Sequence, residues 1–136
     1  MKFIKTLPVI AIFATLIVVG FQSCKKDTVE ISLQTKTERV ANTWQVDNYK
    51  VNGIDFTSLL ADYTETFTTD LTYSYQWGIL GGNGSWAFKN NNNEIQITGI
   101  NNLASKTLYI LKLEETQFWY YYMDGNDKKE YHLIQK

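Results

Sequence analysis

From Trp44 to Gln135 the chain is a succession of short runs rich in Thr, Tyr, Trp, Phe and Ile, separated by Gly, Asn and Asp. Runs of that composition with a period of two are half-buried β-strands, and the separators are turn formers. Leu71–Trp77 shows the pattern most plainly. Leu71, Tyr73, Tyr75 and Trp77 fall on one face, with Thr72, Ser74 and Gln76 on the other. There is no proline after Pro8, so none of these runs is barred from a sheet interior.

The alternation predicts eight strands: Trp44–Val51, Tyr63–Thr69, Leu71–Trp77, Ser85–Lys89, Glu94–Thr98, Lys106–Leu113, Gln117–Met123 and Glu130–Gln135. Most connections are short, with a tight reversal at Asp70, an all-Asn turn at Asn90–Asn93 suited to positive φ, and Asp124-Gly125-Asn126-Asp127 as the last hairpin. A parallel crossover needs a dozen or more residues, so neighbours should run antiparallel. Eight such strands in meander order close most simply into an up-and-down barrel, with an open sandwich as the alternative. The longer link Asn52–Asp62 has room for a short helix or a lid. Ahead of the strands, residues 35–43 can form one helical turn, capped by Thr35 with Glu38 three residues on.

The faces carry further information. Tyr63, Glu65 and Phe67 share one side of their strand, as do Trp86 with Phe88 and Ile95 with Ile97. The first strand changes phase between Trp44/Val46 and Tyr49/Val51, and a bulge near Asp47-Asn48 would bring all four inside. Two strands are apolar on both faces. Leu108 and Ile110 oppose Tyr109, Leu111 and Leu113; Phe118, Tyr120 and Tyr122 oppose Trp119, Tyr121 and Met123. A barrel buries only one set of each. The other is covered by the chain itself, by a homodimer or protein partner, or faces solvent. An outer face of Leu108, Ile110, Trp119 and Tyr121 is the expected partner surface.

Charge and chemistry narrow the function classes. Thirteen basic against 14 acidic side chains leave no basic footprint for nucleic acid. One Cys and one His exclude a disulfide framework and a Cys- or His-built metal site. No cofactor motif is present: Gly78–Gly84 lacks the Lys-Ser/Thr ending of a phosphate loop and reads as a flexible hairpin loop displaying Ile79 and Leu80. Asp124–Glu130 fails as a calcium loop, because Lys128 stands where an oxygen ligand is needed. His132 has no nucleophile motif beside it and reads as an ordinary strand residue. The expectation is therefore a non-enzyme. Glu65, between Tyr63 and Phe67, is a candidate polar contact for a ligand, and Tyr73, Tyr75, Trp77, Trp86, Tyr120 and Tyr122 either line a pocket or form a plain core.

The N-terminus reads as an export signal. Lys2 and Lys5 precede an apolar run, Thr6–Gly20. That run is about fifteen residues, against roughly twenty for a membrane span. A retained transmembrane anchor is the alternative. The expected organisation is a signal over residues 1–23, a lipid anchor and tether over 24–37, and a barrel domain over 38–136.

Ser23 directly before the lone Cys24 resembles a bacterial lipoprotein signal, and the junction Ser23-Cys24-Lys25-Lys26-Asp27 is similar to those of Bacteroidetes lipoproteins. The resemblance implies lipidation of Cys24 and an anchor in the outer membrane, on its periplasmic face or at the cell surface. Asn42-Thr43-Trp44 resembles the short lipocalin motif, in which a Trp opening the first strand follows a Gly by two residues; here Asn42 replaces that Gly. Asn52-Gly53, Thr64–Phe67, Gly84–Phe88 and Tyr109–Leu113 resemble, in order, segments of the compact lipocalin-like domains of those lipoproteins. The Arg that larger lipocalins place over this Trp near the chain end is not evident. The resemblance implies a lipocalin-like barrel that binds a small apolar or amphipathic ligand, with Trp44 and the aromatic set as pocket wall and Glu65 as polar contact. The alternative is a filled barrel that docks a protein partner.

Overall fold

The computed structural model describes residues 33–100 and 105–136. The expected signal, Cys24 and most of the tether lie outside the described residues.

A short helix, α1 (Lys36–Val40), precedes β1 (Thr43–Val51), β2 (Ile54–Asp55), a 3₁₀ turn (Thr57–Leu60), β3 (Tyr63–Phe67), β4 (Thr72–Trp77), β5 (Leu80–Lys89), β6 (Glu94–Thr98), β7 (Lys106–Leu113), β8 (Gln117–Asp124) and β9 (Asp127–Gln135). Each strand pairs antiparallel with the next, apart from β2, a two-residue flap on the end of β1. β9 returns to β1 along its length, from Val51↔Lys129 to Trp44↔Gln135, so eight strands close into a barrel rather than an open sandwich. Helix and barrel belong to one compact unit, Ile31–Lys136.

Closure depends on the phase change in β1. The β1–β9 register shifts between Val46 and Asn48, leaving exposed Asp47 as the extra residue. That bulge puts Trp44 and Val46 on the same side as Tyr49 and Val51, and all four pack into the interior. The Asn turn also forms as its composition predicts, with φ of 50°, 54° and 63° at Asn90, Asn91 and Asn92.

Two segments differ from expectation. Residues 80–84 belong to β5 instead of a flexible loop, paired with β4 from Trp77↔Leu80 to Tyr73↔Gly84. Gly82 and Gly84 stand opposite Tyr75 and Tyr73, and at Gly84 the missing side chain lets the neighbouring Thr98 backbone approach closely. Leu71 sits in the β3–β4 turn with φ 67° and is 42% exposed, so it does not share the inner face. The Thr68 hydroxyl fixes this turn by accepting the Thr72 N–H at 3.0 Å.

One end of the barrel is closed. A capping box starts α1: the Thr35 hydroxyl accepts from Glu38 N while the Glu38 carboxylate accepts from Thr35 N. Lys36 Nζ donates to Asn92 O, and Arg39 Nη1 to Leu113 O, each at 3.2 Å. Asn92 lies in the β5–β6 turn and Leu113 ends β7, both at this end, so the helix is laid across it. Val40 is fully buried, and its carbonyl accepts the Trp44 indole N–H at 2.9 Å. Above it Trp44, Phe67, Trp86 and Phe118 interlock with centroids 5.7–5.8 Å apart. Trp86 Nε1 is satisfied by Thr68 O. Buried indoles are stable only when that N–H finds a partner.

The expected partner surface needs correction. Leu108 is fully buried in the core, and Ile110 packs against that core from the same face. The outer apolar set is instead Tyr109, Leu111, Trp119, Tyr121 and Met123. Much of it is covered by the chain's own side chains. Tyr109 stacks on Tyr121 at 4.9 Å, and Trp119 on His132 at 4.1 Å. Lys128 sits over Tyr121 and Lys112 over Trp119, while Glu130 pairs with both Lys128 and His132. Cations on these ring faces shield them from water at modest electrostatic gain.

Candidate functional site

The other end of the barrel is the mouth, ringed by the 52–62 link, the β4–β5 turn, the end of β6, the start of β7 and the β8–β9 hairpin. Between the mouth and the tryptophan floor the interior lining turns from hydrocarbon to phenol.

At its centre is Glu65, the one buried charged residue of the described core. The parity of β3 points it inward, between Tyr63 and Phe67. Tyr63 donates its hydroxyl proton to Oε1 at 2.7 Å and Tyr73 donates to Oε1 at 2.9 Å. The Tyr120 hydroxyl lies 2.9 Å from both carboxylate oxygens. Three phenolic donors from β3, β4 and β8 thus replace water around the carboxylate, as a buried acid requires. The effect on the phenols is reciprocal. Burial first, and the charge of Glu65 second, push the ionisation of Tyr63, Tyr73 and Tyr120 far above the usual tyrosine range. Tyr131 is raised as well, by burial and then by Tyr122 and Glu65. Its ring touches Tyr49, Tyr63, Tyr120 and Tyr122, with centroids 4.7–6.0 Å apart.

Above this layer the wall parts. β7 and β8 pair only as far as Tyr109↔Tyr121, whereas β8 stays paired with β9 up to Asp124↔Asp127. A cleft of about 400 Å³ opens there, lined by Ser105, Lys106, Thr107, Tyr109, Tyr122, Met123 and Asp124. Lys106 Nζ lies over the Tyr122 ring at 4.4 Å. Burial lowers the Lys106 ammonium below the usual lysine range, partly offset by attraction to Glu65. Asp124 is held low by its hydrogen bond and ion pair with Lys129.

The candidate residues therefore separate by depth. Glu65, Tyr73 and Tyr120 meet in one network, with half-buried Tyr75 and Tyr122 above it. Trp77 stands at the rim, 44% exposed. Trp44 and Trp86 do not line a pocket; they form the floor of the closed end. Tyr63, Tyr131 and Lys106 were missed. Strand parity could have found each of them, since Tyr63 shares its face with Glu65, Lys106 with Leu108, and Tyr131 with Leu133. Among the described residues no group of His, Cys, Asp and Glu is placed to hold a metal ion.

No family model matches the chain, and no curated protein matches it in sequence. Among solved structures, a crystal structure of a lipocalin-like protein from Bacteroides uniformis aligns with a TM-score of 0.56 at 13% identity, covering 72% of this chain and 99% of that one. The fold is lipocalin-like. Small eight-stranded barrels either fill with side chains or hold one small ligand. This lipocalin-like barrel is packed with apolar aromatic rings at its closed end and turns toward its mouth to a layer of tyrosines around Glu65.

Proposed function

We propose that the protein is an outer-membrane lipoprotein, held by acyl chains on Cys24, whose barrel binds a small amphipathic ligand in its mouth half without catalysis. The observation that carries this reading is the layering of the interior. The floor is solid, so a ligand has only the upper half to occupy. There it meets Tyr75, Tyr122 and Tyr131, with the Glu65 network beneath and the cleft beside Lys106 to one side. A few placed polar groups on an aromatic wall suit orientation-specific binding of a small molecule. The lipocalin-like fold supports a role of binding type.

Native mass spectrometry of the mature protein extracted from its membranes tests the reading. A chain beginning at Cys24 with acyl mass, carrying a non-covalent small molecule, is expected; Cys24→Ala removes the acyl mass. A barrel that co-purifies with nothing and binds none of a panel of amphiphiles overturns the ligand reading.

A second reading, docking of a protein partner, is favoured by the mouth loops instead of the outer face. Ile54, Leu59, Ile79 and Leu80 are 63%, 60%, 100% and 58% exposed there. A set of large apolar side chains around one opening is a contact surface as well as a ligand entrance.

A further inference from the structure

The rim of the mouth has two unlike halves. The β8–β9 hairpin carries Asp124, Asp127, Lys128 and Lys129. The other half is apolar: Ile54, Phe56 and Leu59 on the 52–62 link, and Trp77, Ile79 and Leu80 on the β4–β5 hairpin, are all exposed. Six of the ten large apolar side chains exposed among the described residues thus fall on two segments. The segments adjoin, because the link leads into β3 and β3 pairs with β4 at Tyr63↔Trp77. The hairpin holds its tip rigidly. Trp77 pairs with Leu80, so the turn is Gly78-Ile79 alone. Gly78 takes φ 55° at the first central position, as a type II′ turn requires, and the Gln76 amide donates to its carbonyl at 2.6 Å. The second position of such a turn commonly carries Asn, Asp or Ser. Ile79 stands there instead, fully exposed and packed on nothing in the barrel.

We propose that this half of the rim is a membrane-contact surface, which inserts Ile79 and Leu80 of the hairpin and Leu59 of the link into the acyl boundary of a zwitterionic bilayer. The contact goes beyond ligand binding: it needs neither a bound molecule nor acylation of Cys24. Charge selects lipid as the occupant. Residues 71–88, eighteen in a row, contain no Asp, Glu, Lys or Arg, so the hairpin enters an apolar phase without stripping water from an ion. Trp77, directly behind the tip, suits the headgroup level, where indoles concentrate. The link holds no Lys or Arg and two acids, Asp55 and Asp62, so it does not attract anionic headgroups. Hydrogen bonds led by the Thr57 N–H at 2.8 Å keep Asp55 below the usual carboxylate range. A docked protein is positioned by hydrogen bonds and charges around an apolar centre, and the hairpin tip offers aliphatic side chains with no charge to set a register. An anchor at Cys24 leaves the mouth within reach of its own leaflet. The eleven residues 25–35 extend to at most about 36–40 Å, against roughly 30 Å for the nine residues of β1.

The test uses the Ile31–Lys136 unit, which carries every described strand and the helix that closes the barrel, and which lacks Cys24. It is mixed with vesicles of palmitoyl-oleoyl phosphatidylcholine, plain or brominated along the acyl chain, and followed by flotation and tryptophan fluorescence. Flotation with the vesicles and quenching by the brominated lipid are expected. Trp44 and Trp86 are buried and Trp119 is covered by His132 and Lys112, so Trp77 is the indole that the bromines reach. Trp77→Phe should abolish the quenching and keep the flotation. Ile79→Asp should weaken partitioning about tenfold, because a carboxylate replaces an aliphatic tip. Leu71→Asp at the closed end and Leu111→Asp on the outer wall should leave partitioning unchanged; all these positions are exposed, and near-UV circular dichroism verifies folding. Vesicles containing phosphatidylglycerol should bind no more tightly. Absence of flotation overturns the proposal and leaves the rim to protein docking. Equal loss in Ile79→Asp and Leu71→Asp, or quenching that survives Trp77→Phe, overturns the placing of the contact at this rim. Tighter binding to the anionic vesicles overturns the zwitterionic class. Each of these outcomes leaves the ligand-binding reading standing, because that reading is decided by what co-purifies with the mature protein.

Discussion

Glu65 and Tyr120, on opposite sides of the barrel wall, meet in its interior, with the Tyr120 hydroxyl 2.9 Å from both oxygens of the carboxylate. The contact joins strands that are not neighbours in the sheet, so it ties the barrel across its bore where the ladder bonds cannot. Removing the acceptor strands three buried phenol hydroxyls. Glu65→Ala should therefore cost about 3–5 kcal/mol, the range for breaking a buried hydrogen-bonded charge network. Glu65→Gln keeps an acceptor and should cost less. Tyr120→Phe removes one bond to a charged group and should cost about 1.5–3 kcal/mol. Urea denaturation of the three variants gives the order; Glu65→Ala at or below the cost of Tyr120→Phe contradicts it.

The same network makes stability fall at high pH. Tyr63, Tyr73, Tyr120 and Tyr131 all ionise well above 10.0 in the folded barrel, chiefly because they are buried. In the unfolded chain they ionise near pH 10. A raised folded value means that the neutral form is favoured by folding, so this contribution is complete below pH 10 and is lost as pH rises above it. Of the nine tyrosines, these four should resist ionisation until the barrel opens. Absorbance at the phenolate band should show a first gradual step and a second, cooperative one that coincides with loss of near-UV circular dichroism. One smooth step centred near pH 10, with the dichroism retained, contradicts the burial.

Much of the barrel was legible because alternation survives without conservation. Faces read from Tyr63, Glu65 and Phe67, or from Ile95 and Ile97, are the faces observed, and the phase change in the first strand announced its own bulge. Glycine was misread, because Gly78–Gly84 carries no side-chain pattern and its strand exists only through pairing with Tyr73 and Tyr75. The doubly apolar strands were ambiguous for a related reason: a period of two cannot say which of two apolar faces turns inward. The inner choice follows from partners far along the chain, such as Ile95 beside Leu108. The site itself was half visible. Glu65 stood out as an acid on an apolar face, whereas the cleft at Lys106 arises from where two strands stop pairing, which leaves no local mark.

The misread glycines make a direct test. A Cβ built on Gly84 would lie 2.3 Å from the Thr98 carbonyl oxygen, a backbone atom with no rotamer to move aside. Gly84→Ala should therefore destabilise the protein by about 1–3 kcal/mol, as overpacking does, through distortion of the β5–β6 pair. At Gly81 the nearest atom to such a Cβ is the flexible Gln76 Oε1 at 2.9 Å, with the Tyr75 carbonyl at 3.0 Å. Gly81→Ala should cost less. Thermal denaturation of the two variants decides it; if Gly84→Ala is as stable as the parent, the close approach of β5 to β6 is not real.

The bulge in β1 predicts an asymmetry between two deletions. Asp47 is exposed and is the extra residue between Val46↔Leu133 and Asn48↔His132. Its side chain matters little to the fold, so Asp47→Ala should change stability by no more than about 0.5 kcal/mol. Deleting Asp47 leaves Asn48 as the single residue between Val46 and Tyr49, the spacing of a regular strand, so Val46, Tyr49 and Val51 keep their inward faces and their partners on β9. That variant should fold and keep the parent's chemical-shift dispersion. Deleting Gln45 instead makes Trp44 and Val46 adjacent, and neighbours in a strand point to opposite faces. Either Trp44, fully buried with its ring 5.8 Å from that of Phe118, turns outward, or the strand slips and carries Asp47 into the core. Each outcome takes a large share of the stability that a domain of this size holds, so the Gln45 deletion should lose the dispersion. A folded Gln45 deletion, or an unfolded Asp47 deletion, contradicts the placing of the bulge at Asp47.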